Sequence, residues 1–281
     1  MEIKYTSKGP VSRSQPKYFR TTLLMVRELI ESRELVWSFF VREFSAKYKQ
    51  SVLGIAWAFI LPILTVGMFI ILNTSGVLNI PGLEVPYVAY ALVGLMAWHL
   101  FSAVLTNATS SMVSAGGMIA KINFQKSSLV IASSAIGVVE FLIRLPLIIA
   151  VFVYYRIPVD FSNMVLGGLA IVPLCFLAVG IGFVFSLLAG VFRDIVIVLP
   201  VVLNALMLLT PIMYPVSKDS LLGKINLWNP VNYLVNTGRD ILFHGQSVHL
   251  GYWISVIVVL IIFTGSWRFF QLAQPRIAER I

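Results

Sequence analysis

The sequence predicts an all-α integral membrane protein. Six transmembrane helices follow an N-terminal amphipathic interface helix, and a re-entrant helical pair precedes the last span. Three observations predict this. The chain is 58% apolar and only 12% charged, about half the ~25% charge of a soluble domain. Its apolar residues fall into runs long enough to cross ~30 Å of hydrocarbon. Its lysines and arginines are distributed unevenly between the connections of those runs. The mean hydropathy of +0.90 agrees.

The chain divides into residues 1–50, a cytoplasmic tail with the interface helix, and residues 51–281, the transmembrane domain. Within the first part, residues 23–44 read as amphipathic. Val26, Ile30, Trp37, Phe40, Val41 and Phe44 share one face at a 3.6-residue period, and Arg27, Glu28, Glu31, Glu34, Ser38 and Arg42 lie opposite. Leu35 and Phe39 break the pattern, and Arg33 sits on the apolar side, from which its stem can reach head groups. A helix of this kind lies in the membrane interface. It runs into Lys47 and Lys49 and then into the first span.

The expected spans are 51–72, 86–110, 128–154, 163–191, 195–214 and 250–270. The third carries Glu140 and Arg144, four apart and so on one helical face. An internal ion pair and the wall of a hydrated path are both open readings. The fourth is rich in glycine, which lets helices approach closely in lipid. The fifth contains Pro200 and Pro211, which predict a bent or broken helix near its outer end. In 215–249, two short apolar stretches meet at Asn229-Pro230, the pattern of a re-entrant helical pair lying against protein or a water-filled path.

The charges set the orientation. With a cytoplasmic N-terminus, the inside segments 1–50, 111–127, 192–194 and 268–281 hold sixteen basic residues, against four in the outside segments 73–85, 155–162 and 215–249. Both termini are therefore expected in the cytoplasm. The net charge of +9 concentrates in the first fifty residues, as topology control and attraction to anionic lipid require. It is not the footprint of a nucleic-acid binder. The first apolar run begins too late for a signal peptide. A single cysteine, Cys175, forbids a disulfide framework, and His99, His244 and His249 lack metal spacing. No GxxxxGK[ST] loop, GxSxG or HExxH is present. The aromatics Trp57, Tyr214, Trp228 and Tyr233 read first as interfacial belt and packing residues, and second as a pore lining. Residues 111–126 read as a solvated turn or a short docking helix.

Residues 41–64, VREFSAKYKQSVLGIAWAFILPIL, carry Arg42, Glu43, Lys47, Tyr48, Lys49, Ser51, Leu53, Gly54, Trp57 and Pro62. Val191-Phe192-Arg193-Asp194, Pro211-Ile212-Met213-Tyr214-Pro215 and Asn229-Pro230 follow at the expected places. Together they resemble the permease subunits of type-2 ABC exporters of polysaccharides and polyol phosphates, which export O-antigen, capsule or teichoic acid. Phe124-Gln125-Lys126 departs from the proline usual after the phenylalanine.

The resemblance implies a homodimer in a bacterial plasma membrane, joined by two copies of a separate ABC ATPase. ATP and Mg would reside on that partner, so this chain would bind no cofactor and catalyse no reaction. The cargo would be a polyprenyl-linked glycan, its pyrophosphate drawn in by Arg33, Arg42, Lys47 and Lys49. Gly117, Met118, Lys121, Phe124 and Lys126, with Arg193 and Asp194, would couple to the ATPase. Trp57, Tyr214, Trp228, Asn229, Pro230 and Tyr233 would form pore and gate. Three rival classes are a drug or ion permease of the same fold, a membrane-embedded lipid-glycan enzyme, and an ion-coupled carrier. The enzyme lacks the acidic cluster it would need, and the carrier lacks ionisable residues in several spans.

Overall fold

The computed structural model describes residues 4–6, 9–11, 29–49, 53–76, 83–119, 125–158, 160–217, 219–245 and 248–278, of which 4–11, 118, 119 and 275–278 are described as backbone only. A two-stranded antiparallel hairpin, β1 (Lys4–Thr6) and β2 (Gly9–Val11), comes first. All other described elements are helical: α1 Arg33–Lys49, α2 Trp57–Thr74, α3 Tyr87–Ser114, α4 Gly116–Ile119 and α5 Ser127–Tyr154. There follow α6 Phe161–Val191, α7 Asp194–Leu209, α8 Leu221–Asn226, α9 Pro230–His244 and α10 Leu250–Ala278.

Among the described residues, five helices are long and apolar enough to cross a membrane: α2 with its preceding 3-10 turn, α3, α5, α6 and α10. The expected fifth span, 195–214, is helical only over the 16 residues of α7, about 24 Å at 1.5 Å per residue. It stops at Leu209, just before Thr210 in extended backbone and Pro211. Proline disfavours helical geometry in the residue before it.

The axis of the bundle is α3. It packs extensively on α5 and α6, and also touches α2, α7 and α9. Leu95, Met96, Val104 and Met112 are fully buried along it. Notches on its neighbours make the approach close. A Cβ at Gly137 of α5 would stand 2.6 Å from the backbone nitrogen of Val104, and one at Gly94 of α3 would stand 2.3 Å from the Ile212 carbonyl oxygen. Backbone cannot yield as a flexible side chain does. Gly137→Leu is therefore expected to push α5 off α3 and abolish recovery of folded, monodisperse protein. Size-exclusion chromatography of a fluorescent fusion checks this. Gly117→Leu, whose Cβ meets open space, is the matched control and should express normally.

The interface helix packs differently from its helical-wheel reading. Phe39, which broke the predicted apolar face, is the buried residue, while Ile30, Trp37 and Val41 are 61%, 65% and 41% exposed. Leu35, Val36 and Phe40 flank Phe39 against a cluster containing Leu129, Phe183 and Trp267. The helix thus carries two apolar stripes, one for the bundle and one left for lipid. A single-face wheel cannot separate them, because both are hydrophobic.

Candidate functional site: a buried charge junction and a pinned helical hairpin

Two polar constellations lie in this bundle. The first joins α1, α2 and α5. Pro62 sits inside α2, and a proline has no N–H for the carbonyl four residues earlier. That carbonyl belongs to Ala58, and Arg144 Nε donates to it at 3.1 Å. The same guanidinium reaches Glu140 Oε2 at 3.4 Å. Lys47 Nζ stands 2.6 Å from Glu140 Oε1, and the Tyr48 hydroxyl donates to that oxygen at 3.0 Å. Glu140 and Arg144 are 3% and 8% exposed. One carboxylate therefore holds two cations and a phenol, and ties the end of the interface helix to the start of the first span. Burial first, then the Glu140 charge, push the Tyr48 phenol up to about 12, so it remains a donor. One turn back, Ser133 donates to Glu43, whose carboxyl is raised mainly by burial, against the lowering effect of Ser133 and Arg42.

Beside this junction lies a cavity of about 220 Å³, lined by Lys47, His99, Ser102, Asn107, Arg144 and Asn204 among others. Arg144 Nη1 and Asn107 Nδ2 are buried donors without an acceptor among the described residues. The cavity wall thus offers unspent N–H groups and positive charge beside α7.

The second constellation holds the α8–α9 hairpin on the end of α7. A helix ending at membrane depth leaves carbonyls that hydrocarbon cannot satisfy. Here side chains of the following segment satisfy them. Tyr214 donates its hydroxyl to the Leu208 carbonyl, and Asn226 Nδ2 donates to the Leu209 carbonyl at 2.9 Å. Asn229 Nδ2 donates to Thr210 Oγ1 and Asn226 Oδ1, both at 3.1 Å. Its Oδ1 accepts from Val231 N at 3.0 Å, capping α9, with Pro230 at the first helical position. That is the asparagine-cap and proline-start combination helices favour. Arg239, 4% exposed, closes the arrangement. Its Nη1 donates to the Ile212 carbonyl at 2.9 Å, Nη2 donates to Asn236, and its guanidinium carbon sits 3.6 Å from the Tyr90 ring centroid.

The structure thus brings Lys47, Glu140 and Arg144 together, and Tyr214, Asn229 and Pro230 together. It does not group the four interface cations. Arg33 and Lys49 are exposed along α1, and Arg42 lies 3.6 Å from Glu43 and over the Phe39 ring. Among the gate residues, Trp228 projects with 90% exposure and Trp57 is 44% exposed. The Tyr233 ring fits over Gly251 of α10, where a Cβ would stand 2.4 Å from the ring. Gly117 lies exposed in α4. The Met118 side chain, Lys121 and Phe124 lie outside the described residues. Lys126 is half-buried, and burial lowers its ammonium. Arg193 and Asp194 are exposed at the start of α7.

Sequence reasoning passed over Tyr48 as a donor, Tyr90 as a partner for a cation, and Asn226 and Arg239 altogether. Arg239 gave a signal, as a cation in a stretch otherwise read as apolar helix. Tyr90 gave none, because a tyrosine in a span is ordinary.

Compared with known proteins, residues 34–243 match the ABC-2 type transporter family. The chain is 26% identical over 194 residues to the O-antigen export system permease protein RfbA of Myxococcus xanthus, covering 69% of this chain and 73% of that one. It is 26% identical over 211 residues to an RfbA of Klebsiella pneumoniae, covering 73% and 78%. With the polysialic acid transport protein KpsM of Escherichia coli it shares 24% over 241 residues, covering 80% and 88%. The match begins in α1, runs through both polar constellations and ends in α9: the chain belongs to the ABC-2 type transporter family of membrane permeases.

Proposed function

We propose that this chain is the membrane subunit of an ATP-driven exporter of lipid-linked polysaccharide, working as a homodimer on two copies of a separate ABC ATPase. The observation that carries this reading is that an O-antigen export system permease and a polysialic acid transport protein align over 69% and 80% of the chain. The geometry supports it. Leu61, Leu64, Met68 and Ile71 of α2, and Ile197, Val201 and Leu208 of α7, are exposed. A second copy laid on these faces would enclose a path into which the polar cavity beside Arg144 opens. The basic N-terminal segment favours a cytoplasmic position for α1, where the ATPase would push on α1 and on 111–126. The α8–α9 hairpin then lies at the outer mouth. The glycan would pass between the two copies, and the chain would transmit the motor's two states without doing chemistry of its own.

The test is affinity purification of the tagged chain from mild detergent, followed by mass spectrometry. A partner with a phosphate-binding loop, in about equal amount, is expected, together with accumulation of unexported lipid-linked glycan in a deletion strain. A chain that emerges alone after cross-linking in the membrane would leave the mechanism without a motor. A partner ATPase with normal surface glycan in the deletion strain would redirect the reading to a permease for small molecules.

A further inference from the structure

Helices α5 and α6 both pack along α3 but touch each other only sparsely. Between them, in the half of the bundle that carries the gate hairpin, runs a groove of about 690 Å³. Its floor is Val93, Met96 and Leu100 of α3, and Gly238 and Leu242 of α9 form its roof. The lining is apolar except at one point. At the mouth stands Arg156, in the turn between the two helices.

Arg156 is unusual in three respects. It is the one basic residue in the segments 73–85 and 155–162. It holds a left-handed backbone, φ 51°, as the one non-glycine residue with positive φ among those described, a conformation that crowds the Cβ of an L-residue against the following carbonyl oxygen. No ion pair engages it among the described residues, Asp160 at the N-cap of α6 included. Next to it, Tyr154 and Tyr155 are 80% and 39% exposed with their rings edge to face, as interfacial aromatics are. They set Arg156 at head-group depth.

The geometry points to a specific phospholipid site: one acyl chain of an anionic phospholipid lies in the α5–α6 groove with its phosphate on Arg156. An apolar slot opening sideways toward hydrocarbon suits a chain, and a guanidinium at its head-group end suits a phosphate. The occupant touches the gate. A Cβ at Gly167 would stand 2.9 Å from the Gly238 carbonyl, so α6 and α9 meet backbone to backbone along the groove's roof. A chain seated there therefore braces α9 from below. This site lies apart from the cargo path proposed above and does not depend on it.

The experiment reconstitutes the full-length chain in bilayers of equal parts phosphatidylglycerol and phosphatidylethanolamine, extracts it gently into detergent and measures retained lipid by mass spectrometry. Two variants are compared. Arg156→Glu reverses the charge. Gly168→Leu fills the groove from a position where a Cβ meets nothing within 4 Å, so it should fold normally. Wild type is expected to retain phosphatidylglycerol over phosphatidylethanolamine by about fivefold, the factor for one cation at an anionic surface. Arg156→Glu should erase that preference, and Gly168→Leu should lower retention of both lipids. Equal retention in all three proteins would overturn the site. So would a polyprenyl phosphate in place of phospholipid when the chain is extracted from its native membrane.

Discussion

Glu140→Ala is expected to lower the thermal stability of the purified protein more than any other single change in the charge junction. The carboxylate is 3% exposed and faces Lys47 at 2.6 Å and Arg144 at 3.4 Å. Its removal leaves the buried Arg144 guanidinium without a counter-charge and Tyr48 without its acceptor. Breaking a buried pair by deleting one partner costs about 3–5 kcal/mol, because the remaining charge stays desolvated. The loss falls on the α1–α2–α5 junction, so α1 should loosen first. Thermal unfolding by fluorescence-detected chromatography measures the first effect, and protease accessibility of residues 33–49 measures the second. The double variant Glu140→Leu with Arg144→Leu removes both charges and should be milder than Glu140→Ala alone. It still leaves the Ala58 carbonyl without the donor that Pro62 makes necessary. A single variant as stable as wild type would show that the interface helix is held by Phe39 and its apolar neighbours alone.

Arg239→Lys is expected to release the α8–α9 hairpin while leaving the bundle folded. Lysine keeps the charge but loses the planar fork that spans the Ile212 carbonyl, Asn236 and the Tyr90 ring. A hydrogen bond from a charged donor contributes about 1.5–3 kcal/mol, and a desolvated cation–π contact about 2 kcal/mol. These contacts bridge α9 to residues 210–214 and to α3; they are not part of the α3–α5–α6 packing. Hydrogen exchange should therefore rise at least tenfold in 210–214 and 226–239 and stay unchanged in α3 and α5. Export should fall even though the purified chain remains monodisperse. Unchanged protection at 210–214 would assign the hold to the asparagines at 226 and 229 instead.

Most of the spans were legible in the sequence because hydropathy is a sum over residues. Each apolar side chain contributes its transfer free energy wherever its neighbours lie, so 86–110, 128–154 and 163–191 stand out without any partner. The break after Leu209 was legible for a local reason, since Pro211 constrains the residue before it. The asparagine–proline start of α9 was legible for the same kind of reason. The length of α7 was less so: an apolar run does not distinguish helix from the buried extended turn at 210–215, and hydropathy extends through both.

The contacts that make the two polar sites were not legible. Lys47 and Glu140 lie ninety-three positions apart and Tyr90 and Arg239 nearly one hundred and fifty. Nothing in either local pattern names the other. The sequence by itself determined that this chain spans a membrane and which residues carry the family pattern. Only the tertiary structure decided which stripe of α1 faces protein, that Arg144 answers the carbonyl freed by Pro62, that Arg239 pins the hairpin, and that α5 and α6 part to leave a groove at Arg156. The physical reason is that burial is additive along a chain, whereas pairing is a property of two groups at one place, and the place is set by packing.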